Sequence, residues 1–289
     1  MKWVAGITVC ILVACRAETG KGAPEGKNVA PGVQHIGRIE NSRITESSGV
    51  VVSRSHPNIF WTHNDGGGKR QVLYAITRTG RSLAEFRITG ALLSDWEDIA
   101  TDDKGNLYLA DTGNNEARRQ NIAVHEVPEP DLKESKNGIA RVTRTWNLHY
   151  PDRPFDAESL FILGDSGYII SKVTGNERAD IYRFSLTNDS TAQTLSAVAE
   201  VNVDSPVTGA DVSSDGNLLA LVAKNGAYVF RIKGDVSRAS KGKPFQVKFK
   251  HDQIEGCTFV PEGLLATAES RDIYLFTDEA FRTGPVKKK

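Results

Sequence analysis

An internal repeat of about fifty residues governs what this chain can become. Five segments share one order: a small or acidic residue opens an apolar strand, and a turn follows. Then come a second strand ending in a polar loop, a third alternating strand and a variable fourth. The segments begin at residues 48, 97, 158, 208 and 255. Their second strands read IFWTHN, NLYLAD, YIISKV, LLALVA and LLATAE. Their third strands read VLYAIT, NIAVHEV, DIYRFSL, YVFRIK and DIYLFT, with an aromatic recurring at Tyr74, Tyr182, Phe230 and Tyr274. A unit this short cannot bury both faces of its sheet alone, so copies must pack against one another.

The expected fold is therefore all-β, a five-bladed β-propeller, with six blades as the rival count. Fourth strands are predicted from Leu83, Arg141, Thr194 and Phe245, and the fifth repeat runs out after Thr277. Residues 33–39 (VQHIGRI) form a strand with no repeat of its own. A ring closes when a terminal strand completes the last sheet and removes its open edge. The 33–39 strand is assigned that place in blade five. The 26 glycines, spread along the chain, suit many turns.

In such a ring the first strand of every blade lines the axis. The opening residues Ser48, Glu97, Glu158, Thr208 and Glu255 then converge. Three carboxylates held together either rise in pKa or take up a cation. Hard oxygen donors without imidazole or thiolate suit Ca²⁺, with Mg²⁺ second. The other reading pairs these glutamates with arginines or backbone amides.

The order Ser48, Glu97, Glu158, Thr208, Glu255 resembles the ring of the calcium-activated nucleotidases (apyrases), which runs Ser, Glu, Glu, Ser, Glu. That resemblance implies five blades around a central Ca²⁺. The motifs ESSG from Glu46, WTHNDGG from Trp61, DWEDIA from Asp95, DTGNN from Asp111 and DAE from Asp156 are similar to those of an uncharacterised group of exported bacterial propeller lipoproteins. Asn114 stands where that group usually has Asp.

The N-terminus has one lysine, then an apolar run from Trp3 to Ala14, as in a secretory signal. Leu12-Val13-Ala14-Cys15 resembles a bacterial lipobox, which implies cleavage before Cys15 and a lipid on it. The expected division is signal peptide 1–14, lipidated Cys15 with a flexible tether 15–32, and propeller 33–289. The protein is then exported and anchored to the cell envelope. With Cys10 removed and Cys15 acylated, Cys257 is left without a disulfide partner.

Loops after the second strands share the face of the proposed metal. They carry Lys69, Arg70, Arg118, Arg119, Lys172, Arg178, Lys224 and Arg271. A cation ringed by bases suits an anionic ligand, with Arg118 and Lys172 as its contacts. Asp65 and Asp111 are the general-base candidates. Lys plus Arg and Asp plus Glu both number 36, so the chain lacks the basic excess of a general nucleic-acid binder. No G-x-S-x-G elbow, HExxH or paired cysteine is present. Trp61, Trp96 and Trp146 read as packing between blades. Two functions follow. One is an envelope-anchored module that binds a ligand or an envelope protein. The other is a Ca²⁺-dependent hydrolase of a phosphoanhydride or phosphoester, with a lactonase as a third option.

Overall fold

The computed structural model describes residues 26–66, 71–173, 178–188 and 190–283. They form five sheets in chain order, a five-bladed all-β propeller. The innermost strands are Ser47–Val52, Trp96–Thr101, Leu160–Leu163, Val207–Val212 and Ile254–Val260. Each touches the next in cyclic order, and Ile254–Val260 returns to Ser47–Val52.

The second strands show why the sequence reads as unbroken apolar runs. In Leu218–Ala223, Leu219, Leu221 and Ala223 pack towards blade three, while Ala220 and Val222 pack towards blade five. In Asn106–Asp111, Leu107 and Leu109 face blade one, and Tyr108 and Ala110 face blade three. Side chains alternate across a strand, so a blade with neighbours on both faces needs apolar residues at every position. The result is five cores between blades. Trp61 and Trp96 lie between blades one and two, and Trp146 between blades two and three. Burying each such Leu or Val contributes about 1.5–3 kcal/mol.

Close approach at the hub demands small residues. A Cβ on Gly256 of blade five would lie 2.5 Å from the Ser48 carbonyl oxygen of blade one.

Closure follows the expected route. Val33–Arg38 pairs antiparallel with Asp272–Thr277, with Val33 opposite Phe276. Arg38 adds an ion pair to Asp272 at 3.0 Å. Five sheets, not six, complete the ring.

Three details depart from the sequence reading. Lys27–Ala30, placed in the flexible tether, is a strand paired with Val33–Arg38. Its Gly-, Pro- and Lys-rich surroundings hid it; it gains its order from an existing edge. Asn137–Arg141 runs parallel beside Ser82–Thr89 and so widens blade one, although the chain there belongs to blade two. Gln193–Thr194 likewise extends blade two. The signal segment and Cys15 lie outside the described residues. Among the described residues no helix is long and apolar enough to cross a membrane.

Candidate metal and ligand site

Four of the five predicted ring residues sit at breaks in strand register. The ladder slips between Ser47 and Val50, Trp96 and Asp98, Val207 and Gly209, and Ile254 and Cys257. Each slip inserts one extra residue, a bulge that bends the strand and re-aims its side chains. Ser48, Glu97, Thr208 and Glu255 lie within these bulges. Glu158 lies just ahead of the strand Leu160–Leu163.

An innermost strand is also a sheet edge, and its backbone groups need partners. The hydroxyls supply some. Ser48 Oγ donates to the Glu97 carbonyl at 2.5 Å, and Thr208 Oγ1 to the Ile254 carbonyl at 2.8 Å. Asp98, fully enclosed, accepts from the amides of Ile99 and Leu160, both at 2.8 Å. Asp211 accepts from Val212 and Phe259, again at 2.8 Å. Burial pushes Asp98 well above the usual carboxylate range and Asp211 to about 6. Burial also raises the Cys257 thiol.

The carboxylates gather on one side of the mouth. Asp65, Asp95 and Glu97 each offer an oxygen within 4.8 Å of the others. Asp65 follows the second strand of blade one, and Asp95 ends the connection into blade two. Asp65 is exposed, Asp95 is half-buried, and Glu97 is 3% exposed. Burial, then the charges of Asp65, Glu158 and Asp95, raise Glu97 to about 10. Partial burial and Asp95 raise Asp65 to about 6. Gly113 makes the gathering sterically feasible. A Cβ there would stand 2.1 Å from Glu97 Oε1 and 2.4 Å from Asp95 Oδ2.

Asp111, a general-base candidate, is already engaged. Its Oδ1 accepts from the amides of Ser94 and Asp95 at 3.1 and 2.8 Å, and from Arg119 at 3.0 Å. Against burial, the nearby His125, these amides and Arg119 hold it below the usual range. Asp111 therefore fixes the loop that presents Asp95.

The other two glutamates have basic neighbours. Lys172 Nζ makes a very short contact with Glu158 Oε1 and lies 3.7 Å from Asp156 Oδ2. Lys224 Nζ lies 3.9 Å from Glu255 Oε1. Burial raises Glu158 to about 7, with Lys172 opposing the rise. Burial and the Glu158 charge raise Glu255 to about 9. Glu158 Oε2 is buried with no hydrogen-bond partner among the described residues. Arg118 pairs with Glu116 at the surface, at 2.8 Å. Lys69 and Arg70 lie outside the described residues.

Trp96 is closed to ligands. It is 1% exposed and stacks on His63 with centroids 3.9 Å apart. His63 accepts the Gly49 amide proton at Nε2, at 3.2 Å, and burial lowers it to about 3. It is a neutral structural residue.

No family model matches the chain, and no curated protein matches it in sequence. Among solved structures, the chain is similar to one in "Crystal structure of Nidogen/Laminin Complex". That match has 11% identity and a TM-score of 0.45, and covers 81% of this chain and 81% of that chain. It is also similar to "Structure of Dos1 propeller", at 14% identity and a TM-score of 0.39, covering 77% of this chain and 53% of that one. Both TM-scores lie below 0.5, and neither likeness bears on the fold or the function argued from the chain itself.

Proposed function

We propose that the protein is a binding module that captures its ligand through a divalent cation held by Asp65, Asp95 and Glu97. Glu97 carries this reading. It is a carboxylate 3% exposed, in a group of three whose oxygens lie within 4.8 Å of one another, with no salt bridge to a base among the described residues. A carboxylate so placed stays protonated or is neutralised by a cation. The donors are hard oxygens, which suit Ca²⁺ first and Mg²⁺ second. Glu158 can add its unpartnered oxygen. Ser48 and Thr208 then serve the hub through their neighbours' carbonyls, and Glu255 stays beside Lys224. Of the ring that resembles the calcium-activated nucleotidases, this group keeps Glu97, with Glu158 as the further donor. Lys172 and Lys224 flank the mouth and suit an anionic ligand or an acidic patch on an envelope protein. The apolar N-terminal run and Cys15 support export and a lipid anchor in the bacterial envelope.

The test uses the full chain in detergent, with a panel of nucleotides, phosphoesters and lactones, in Ca²⁺ or in EDTA. Ca²⁺-dependent ligand retention without turnover supports the binding module. Turnover that disappears in Glu97→Gln makes the protein a hydrolase instead. Neither retention nor turnover responding to Ca²⁺ overturns the cation reading.

A further inference from the structure

We propose that Lys172 is a built-in counter-ion of the mouth, which an arriving divalent cation displaces. This rests on the cation reading above and adds how the site is regulated. The Lys172 side chain is 14% exposed and held between Glu158 and Asp156. Its backbone amide donates to the Asp156 carbonyl at 2.8 Å, so the backbone is fixed and only the flexible four-carbon stem can move. The ammonium satisfies one oxygen of Glu158 and leaves the other buried without a partner. A carboxylate that is half used in this way has a reason to change partners.

A divalent ion supplies that reason. It brings two charges and accepts several oxygens, whereas the ammonium brings one charge and three donors. An ion beside Glu97 attracts Glu158 and repels Lys172, since the charge of Glu97 is already felt at both in this desolvated site. Glu158 turns its free oxygen to the ion, and Lys172 swings to the solvent-facing mouth. The loaded site then has a free ammonium beside a cation, which the empty site lacks. Binding is therefore ordered, with the cation first and the anionic ligand second.

Amine-selective acetylation read by mass spectrometry tests this on the unmodified full chain. Calorimetry on the same sample reports Ca²⁺ uptake. The expected result is a several-fold rise in Lys172 acetylation on adding Ca²⁺, with exposed Lys248 as the constant reference. Lys172→Gln should bind Ca²⁺ several-fold more tightly, because its internal competitor is gone. Uptake of Ca²⁺ with Lys172 acetylation unchanged or reduced overturns the displacement and leaves the cation site standing. Unchanged affinity in Lys172→Gln does the same. No uptake at all removes both.

Discussion

The Ser48 hydroxyl of blade one donates to the carbonyl of Glu97 in blade two at 2.5 Å, so one ring side chain fixes the backbone that carries another. Thr208 repeats the arrangement on Ile254, the residue before Glu255. Ser48→Ala removes that bond between the blades, a cost of about 0.5–1.5 kcal/mol. The expected outcome in urea denaturation is a lower midpoint, with Ser48→Thr retaining most of the stability.

Gly113 is where substitution acts on the site and spares the hub. The methyl of Gly113→Ala would occupy the space of Glu97 Oε1 and Asp95 Oδ2. Both carboxylates must move apart. Ca²⁺ affinity measured by calorimetry should fall at least tenfold, while far-ultraviolet circular dichroism stays that of the wild type.

Stability should depend on pH more steeply without the ion than with it. In the fold, Glu158 is raised to about 7, Glu255 to about 9 and Glu97 to about 10. Unfolded glutamates titrate near ~4.3, so above that pH the folded chain keeps protons that the unfolded chain has released. This contribution is complete below about pH 4.3 and is lost as pH rises through the folded values. In EDTA the melting temperature should fall steadily from about pH 6 to pH 9. In millimolar Ca²⁺ the fall should flatten, because the ion takes the place of the protons. His63, held near 3, acts only on the acid side, below about pH 6.5, where the unfolded chain gains a proton.

Asp98 joins blades two and three through two buried amides, at Ile99 and Leu160. Asp98→Ala orphans both and should cost about 2–6 kcal/mol, at about 1–3 kcal/mol per unpaired group. Asp98→Asn keeps an acceptor for one amide and turns its NH2 on the other, so it should cost about 1–3 kcal/mol for the one unpaired amide. Equilibrium denaturation separates the two variants.

The blade order was legible because every blade opens with the same kind of residue and carries apolar residues on both faces. The bulges were not, since a slip in register leaves no mark in composition. Asp95 was missed as a site residue because a residue ahead of a strand reads as turn chemistry. Its i, i+2 relation to Glu97 was the available signal. Asp111 looked free in a polar loop, and only the amides of Ser94 and Asp95 reveal its use. Asn137–Arg141 was unreadable in principle. It buries Ala140 alone among its five residues, and nothing in its sequence says whose edge it joins.

A crystal grown with Ca²⁺ and measured at a long X-ray wavelength locates the ion without assumptions about chemistry. An anomalous peak is expected about 2.3–2.6 Å from oxygens of Asp65, Asp95 and Glu97, which would place the cation there. A peak elsewhere, or none at saturating Ca²⁺, would contradict it.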